Sequence, residues 1–232
     1  MPRVCVRNSG YFWTLTIAAC ALIVLGDLYA IFVYAPVEAQ MGIVQKIFYI
    51  HVPSAYAMYI GFITCGICSA MYLVRPRATW NALALAAGEV GLLFCVVVLI
   101  TGPLWARKAW GVYWTWDPRL TTTLLAGMVF AAYWILRGLS GAGEVEHRFA
   151  AALAVLGVLD LPIIHYSVQK WRGTHPAVIT GKGGGLHPEM RPALIISFLA
   201  FSLLVVLLIR ARSRLEGLQN RLARLNEDMD DL

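Results

Sequence analysis

Charged side chains are scarce in this chain. Only 14% of its 232 residues are Asp, Glu, Lys or Arg, whereas 59% are hydrophobic. An average soluble domain carries roughly 25% charged residues and is about half apolar. This shortage of charge excludes a sizeable soluble domain. We therefore expect the lipid bilayer as a partner, and no nucleic acid.

The cysteine pattern excludes two kinds of redox chemistry. The chain has five cysteines, and their spacing forms no disulfide framework. Cys65 and Cys68 make a C-x-x-C, but Ser69 follows where covalent haem attachment would require histidine. Both cysteines lie inside a hydrophobic run, where thiol exchange is not expected. We interpret the cysteines as packing residues.

The chain is instead dominated by long hydrophobic runs. A spanning helix needs about 20 mostly apolar residues, because the bilayer core is roughly 30 Å thick. Six runs meet or approach that length: 11–35, 47–74, 82–104, 120–136, 149–164 and 193–209. The first carries Asp27 and lacks a small-residue cleavage site, so we interpret it as a retained helix. The fifth is short and is interrupted by Asp160 and Pro162.

These runs predict an all-α, polytopic integral membrane protein with six transmembrane helices. The membrane domain is expected over 1–210, with an amphipathic tail over 211–232. Leucines and one methionine recur in the tail at alternating spacings of three and four residues, which is a short a/d seam. Contact with the cytoplasmic leaflet, docking of a partner helix and a solvated helix all stay open for this tail.

The positions of lysine and arginine predict the orientation, because cytoplasmic segments carry more of them. With the N-terminus inside, 11 fall in inner segments: Arg3, Arg7, Arg75, Arg77, Arg137, Arg148, Arg210, Arg212, Arg214, Arg221 and Arg224. Eight fall in outer segments: Lys46, Arg107, Lys108, Arg119, Lys170, Arg172, Lys182 and Arg191. Both termini are therefore predicted to be cytoplasmic. The outer basic residues favour an anionic ligand on that side.

The outer segment 105–119 is unusually rich in tryptophan. It reads WARKAWGVYWTWDPR and contains Trp105, Trp110, Trp114 and Trp116. Aromatic residues gather at membrane interfaces, which would explain two or three of them. Four tryptophans beside several cations favour instead a platform for a large, flat ligand with carboxylates at its edge. Asp117 has a second interpretation, as the cap of the fourth helix.

Two histidines are predicted at the same outer level. His51 opens the second hydrophobic run and His165 closes the fifth. A histidine near a helix end is often a polar interface residue, but two imidazoles at one depth are able to hold a haem iron from both faces. His147 is expected on the inner surface. His175 and His187 share the outer loop 166–191 and are reserve ligand candidates.

These residues carry a family resemblance. The run WGVYWTWD at 110–117, continued by PRLT, resembles the tryptophan-rich WWD signature of haem-handling proteins in cytochrome c maturation. One histidine before the motif, in IHVPS at 50–54, and one after it, in HYS at 165–167, resemble the CcmC (haem exporter protein C) family. The resemblance covers nearly the whole chain. The chain departs from the signature at Pro118, where a small residue is more usual.

The resemblance implies a function without bond-making chemistry, so no enzyme is expected. His51 and His165 would be axial ligands of haem b, and Trp110, Trp114, Trp116 and Asp117 would form the loop that presents it. Haem would pass to a periplasmic haem chaperone, with an ABC transporter and a small single-helix membrane protein as further partners, at the bacterial inner membrane. Haem propionates are anionic, so Arg119 is the first candidate to bind them, ahead of Arg107, Lys108 and Arg172.

Two other function classes stay open. A small transporter would use the acids within the spans, Asp27, Glu89 and Asp160, although helix-packing hydrogen bonds are their favoured role. No basic residue in a predicted span is available to pair with them. A membrane b-type cytochrome would require stacked histidine pairs within the spans, and the sequence has none.

Overall fold

The structure is a computed structural model that describes residues 7–138, 143–171, 175 and 186–230. Its helices are α1 (Arg7–Tyr29), α2 (Phe48–Val74), α3 (Ala78–Trp110), α4 (Pro118–Gly138), α5 (Glu144–Val158), α6 (Asp160–Trp171) and α7 (Arg191–Asp230). A π-helical turn, Ala30–Tyr34, extends α1, and 3₁₀ turns precede α2 and α7. The described residues form no β-strand.

Six helical segments are long and apolar enough to cross a membrane. They are Gly10–Tyr34, Ile43–Val74, Ala78–Trp110, Pro118–Gly138, Glu144–Ser167 and Pro188–Ala223. The predicted all-α fold with six spans is therefore confirmed. α3 continues to Trp110, so the first six residues of the tryptophan-rich segment are helical. α7 runs unbroken from the last span through most of the tail.

The fifth span consists of two helices in series. α5 ends at Val158, and α6 begins at Asp160 after a single turn residue, Leu159. Pro162 has no N–H to offer the carbonyl of Val158, so the regular hydrogen-bond ladder cannot continue there. The interruption expected from Asp160 and Pro162 is therefore a helix break within the span.

The centre of the bundle depends on small residues. A Cβ on Gly61 of α2 would lie 2.5 Å from the Cα of Gly91 on α3, so neither helix has room for a side chain at this crossing. Glycine permits such close backbone approach, on which helix association in lipid relies. Beside the crossing, the rings of Phe62 and Phe130 stack with centroids 3.7 Å apart. This contact joins α2 to α4 in the core.

Two buried polar contacts hold α1 against the bundle. Ser197 of α7 lies 2.6 Å from the carboxyl of Asp27. Lys46 is buried and donates to the carbonyls of Ile31, Phe32 and Ala35, at 2.6, 3.1 and 3.1 Å. A cation at the end of a helix satisfies carbonyls that have no partner in the helix. Lys46, one of the predicted outer basic residues, therefore binds backbone carbonyls and lies outside the lining of the outer cavity.

Glu89 has a basic partner that the hydrophobic runs did not predict. Arg212 of α7 forms an ion pair with Glu89 of α3 and a second with Glu216, 3.0 Å away. The indole N–H of Trp134 on α4 also donates to Glu89, at 3.0 Å. The expectation that no basic residue pairs with the acids was wrong for Glu89, because α7 continues past the predicted end of the sixth run.

Candidate functional site

A cavity of about 370 Å³ opens where α2 begins and α3 ends. We call this the outer end of the bundle, following the orientation predicted from charge. Ligand pockets typically measure about 300–1,000 Å³. The lining combines apolar helix surface with three histidines, three tryptophans and one arginine: His51, His165, His175, Trp105, Trp110, Trp114 and Arg119. Residues from five separate stretches of the sequence therefore converge on one cavity.

His51 lies in the first turn of α2 and is half-buried. Its Nδ1 is 2.9 Å from the hydroxyl of Thr101 on α3. Gly102 lies beside the ring, and a Cβ there would be 3.2 Å from the Cε1 of His51. The imidazole of His51 therefore packs against the outer part of α3.

His165 lines the same cavity but is exposed. Its ring packs edge-on against Tyr166, with centroids 5.1 Å apart. Its backbone carbonyl accepts a hydrogen bond from Arg119, at 3.3 Å. The predicted pair His51 and His165 therefore shares one cavity.

His175 lies closer to the centre of the site than its reserve status suggested. Its ring centroid is 6.4 Å from that of His51, and the ring planes differ by 29°. Trp110 packs edge-on against it at 6.5 Å, and Arg119 donates to its Nδ1 at 3.2 Å. The hydrophobic pattern predicts no depth in the membrane for His175, because this residue lies outside the six hydrophobic runs. His187 pairs instead with Glu189, at 3.8 Å.

The tryptophans divide into two groups. Trp105, Trp110 and Trp114 line the cavity, and Trp105 meets Trp110 edge-on at 5.8 Å. The buried indole nitrogen of Trp114 has no hydrogen-bond partner among the described residues. Trp116 is 76% exposed and lies outside the cavity lining. Three of the rings therefore face the cavity, and the fourth faces the surroundings.

Asp117 caps α4. It is buried, and its Oδ1 accepts a hydrogen bond from the backbone N–H of Arg119 at 2.8 Å. This satisfies one of the free N–H groups at the start of a helix. The interpretation of Asp117 as a helix cap is confirmed. It belongs to the WWD run but is not part of the cavity lining.

The outer basic residues have different partners. The guanidinium of Arg119 reaches the cavity, and its Nε is buried without a hydrogen-bond partner among the described residues. Arg107 contacts the carbonyl of Gly111 and lies 5.6 Å from the ring centre of Tyr113, so it stabilises the loop. Lys108 lies outside the lining, and Arg172 lies outside the described residues. Arg119 is thus the described cation placed to bind an anionic group in the cavity.

Comparison with known proteins gives a consistent result. The family model described as Heme exporter protein C (CcmC) matches residues 1–227. The chain is 35% identical to Heme exporter protein C of Bradyrhizobium diazoefficiens over 193 residues, 82% of this chain and 73% of that protein. It is 31% identical to Heme exporter protein C of Escherichia coli over 215 residues, 92% and 86% of the two chains. A ccmC-like mitochondrial protein of Marchantia polymorpha is 29% identical over 193 residues, 83% of this chain and 78% of that protein.

Proposed function

We propose, from the premise that this chain belongs to the Heme exporter protein C (CcmC) family, that it holds haem b in the outer cavity and delivers it to a periplasmic haem chaperone. Membership makes it a membrane component of haem delivery in cytochrome c biogenesis, and not an enzyme. We propose, beyond this membership, where haem binds, which side chains hold it and which protein receives it. Haem is the cargo of this protein.

The single observation that carries the proposal is the arrangement of imidazoles and indoles around one cavity. His51 and His175 face each other with ring centroids 6.4 Å apart. A metal ion bound by two imidazoles, with metal–nitrogen bonds of about 2.0 Å, requires ring centres roughly 6 Å apart. Imidazole is a common ligand of haem iron. The spacing supports His51 and His175 as the iron ligands, while His165 is the alternative second ligand from the sequence pattern.

The remaining lining fits the other parts of haem. Trp105, Trp110 and Trp114 offer flat, apolar surfaces for the macrocycle. Arg119 offers a guanidinium to a propionate, since its side chain lines the cavity and its Nε has no hydrogen-bond partner in the part of the chain that the structure describes. The indole N–H of Trp114 also has no hydrogen-bond partner among the described residues, and it is a second donor in the cavity lining. The residues present therefore fit a flat, anionic, iron-containing ligand.

Delivery requires that one side of the ligand stays accessible. Trp116 and Tyr113 are exposed beside the cavity, on the segment that joins α3 to α4. Large exposed aromatic side chains are typical of protein-binding surfaces. We propose this segment as the surface that meets the chaperone. The orientation has both termini in the cytoplasm of a bacterium, with ABC transporter subunits and a small single-helix protein as neighbours in the inner membrane.

The transporter alternative is less well supported. It requires mid-membrane acids along a translocation path. Asp27 contacts Ser197, and Glu89 contacts Arg212 and Trp134, so both join one helix to another. These contacts favour a packing role for the two acids.

The proposal is tested by visible spectra of the detergent-purified protein, co-produced with its partner subunits. We compare the wild type with His51→Ala, His165→Ala and His175→Ala. We expect a Soret band in the wild type that fades or shifts in His51→Ala and His175→Ala but persists in His165→Ala. His187→Ala is the matched control, since this histidine pairs with Glu189 outside the cavity.

The other outcomes have separate meanings. Loss in His165→Ala with a normal spectrum in His175→Ala would assign His51 and His165 as the ligand pair. An unchanged Soret band in all three variants would overturn the outer cavity as the haem site.

A further inference from the structure

The hydroxyl of Thr101 makes two hydrogen bonds, one to its own helix and one to His51. Its hydroxyl lies 2.7 Å from the carbonyl of Val97, one turn earlier in α3. The same hydroxyl lies 2.9 Å from the Nδ1 of His51. Thr101 and His51 are 50 residues apart in the chain and belong to different helices. Tertiary packing therefore creates this contact.

The number of protons on the Thr101 hydroxyl determines which atom donates in each of the two bonds. A threonine hydroxyl has one proton to donate and lone pairs to accept. The carbonyl of Val97 is able only to accept, so it takes the hydroxyl proton. The bond to His51 must then run from the ring to Thr101, which means that Nδ1 carries the ring proton. In a neutral imidazole Nε2 is then left with its lone pair.

The local sequence allows the imidazole to sit so close to α3. Gly102 follows Thr101, and its missing side chain leaves space beside the ring, since a Cβ there would be 3.2 Å from Cε1 and 3.8 Å from Nδ1. The Nδ1 side of the ring is thus held against α3. The opposite nitrogen, Nε2, is directed away from Thr101, and the His51 side chain lines the cavity.

His175 has the opposite arrangement. Arg119 lies 3.2 Å from its Nδ1, and an arginine is able only to donate. Nδ1 of His175 is therefore the acceptor, and a neutral His175 carries its proton on Nε2 in the haem-free protein. For His175 to bind iron through Nε2, Arg119 must release Nδ1, and a propionate offers the guanidinium another partner. Of the two facing rings, His51 is the one whose neutral form keeps the Nε2 lone pair, and this nitrogen has no hydrogen-bond partner among the described residues.

We propose that Thr101 is a positioning residue that holds His51 as the Nδ1-protonated tautomer, with the Nε2 lone pair available to haem iron in the cavity. The inference rests on the proposed function for the identity of the ligand, but the tautomer itself is a property of the protein without haem. A ligating histidine commonly donates its other N–H to a neighbouring acceptor, and loss of that acceptor typically costs 10- to 100-fold in metal affinity.

The first measurement needs no haem. We record nitrogen NMR spectra of the haem-free protein, labelled with ¹⁵N-histidine, in lipid bilayers. The signals of His51 are identified by their absence in His51→Ala. We expect a protonated Nδ1 and an unprotonated Nε2 for His51 in the wild type, and the reverse for His175. A protonated Nε2 on His51 in the wild type would overturn the proposal.

The second measurement is a haem titration of two Thr101 variants. Thr101→Val keeps the shape of the side chain and removes the acceptor, so we expect a mixed tautomer and about 10- to 100-fold weaker haem binding. Thr101→Ser restores the hydroxyl and should bind haem nearly as the wild type does. Thr16→Val is the control, because Thr16 makes the same hydroxyl-to-carbonyl bond, 2.8 Å to Phe12, away from the cavity.

The two measurements separate the two hypotheses. Wild-type affinity in Thr101→Val would overturn the positioning role. Absence of haem binding in every form, with the nitrogen signals as expected, would reject the proposed function and uphold the tautomer. A Thr101→Ser variant as weak as Thr101→Val would show that the hydroxyl is not what matters, and would also overturn the proposal.

Discussion

At the scale of single residues, the outer end of this protein uses its polar side chains in specific pairs. Lys46 binds the carbonyls at the end of α1, and Asp117 caps α4. Arg107 binds its own loop, and Arg119 reaches the cavity. Basic residues that look equivalent in the sequence therefore have separate roles. Among the described cations of the outer side, Arg119 has the contacts expected of a ligand-binding residue.

A substitution at Gly102 tests whether close packing against α3 holds the ring of His51 in place. In Gly102→Ala the new Cβ would lie 3.2 Å from the Cε1 of His51, tighter than ordinary van der Waals contact, so the ring must shift by a few tenths of an ångström. Because such a shift disturbs the 2.9 Å contact between the Nδ1 of His51 and Thr101, we expect haem affinity to fall by up to roughly tenfold. A titration followed by Soret absorbance measures this.

The matched control is Gly26→Ala. Gly26 is a helical glycine of α1, and no atom lies within 4 Å of a Cβ built there. This variant should bind haem as the wild type does. Equal affinity of Gly102→Ala and Gly26→Ala would contradict the close packing of His51 against α3.

At the scale of helices, α3 connects both ends of the bundle. Its outer part carries Thr101 and Gly102 beside His51, and its inner half carries Glu89. Arg212 of α7 binds Glu89 and Glu216 with side chains only about a quarter exposed or less. Trp134 adds a bond from α4. The inner half of the bundle is thus held by a polar network on three helices, separate from the cavity.

Arg212→Met tests this network. The change keeps much of the apolar stem and leaves Glu89 and Glu216 without their cation. Breaking a buried pair costs about 3–5 kcal/mol and an exposed pair about 0–1 kcal/mol, so for these partly buried groups we expect about 1–3 kcal/mol lower stability. Denaturant unfolding in detergent measures it, and haem affinity should not change.

Arg221→Met is the control, since Arg221 is an exposed residue of the same helix. Its unfolding midpoint should match the wild type. An equal midpoint for Arg212→Met would mean that the network contributes nothing to stability. Altered haem affinity in Arg212→Met would instead connect the inner network to the cavity.

At the scale of the whole molecule, the two ends of the bundle differ in chemistry. The outer end has the aromatic cavity and the exposed rings of Tyr113 and Trp116. The inner end extends as α7, whose tail exposes a row of leucines with basic neighbours. The proposed delivery requires the cavity to face the periplasm and the tail to face the cytoplasm.

Thiol labelling tests this orientation without haem. Tyr113→Cys and Leu218→Cys each replace an exposed residue, 58% and 62% exposed, at opposite ends of the bundle. The background carries Cys5→Ser, and Cys20, Cys65, Cys68 and Cys95 are buried. A membrane-impermeant reagent should label Tyr113→Cys in intact spheroplasts and Leu218→Cys only after lysis. The reverse pattern would overturn the orientation and, with it, delivery to the periplasm.

Much of the fold follows from the sequence alone. The number of spans, their order and the break near Pro162 are local properties, since each depends on hydrophobic length or on the residue that lacks an N–H. The cap at Asp117 follows in the same way from its place before α4. The gathering of tryptophans at one end is also visible in the chain, because they lie within a single short segment.

The pairing of distant side chains required the tertiary structure. His175 faces His51, Arg119 reaches His175, and Thr101 meets His51, all through contacts between separate elements. Arg212 reaches Glu89 across 123 positions of the chain. Such contacts depend on the register and angle at which helices pack, which hydrophobic length does not encode. The sequence by itself therefore determined a six-span membrane protein with an aromatic outer end, and the packing of its helices decided which side chains form the cavity.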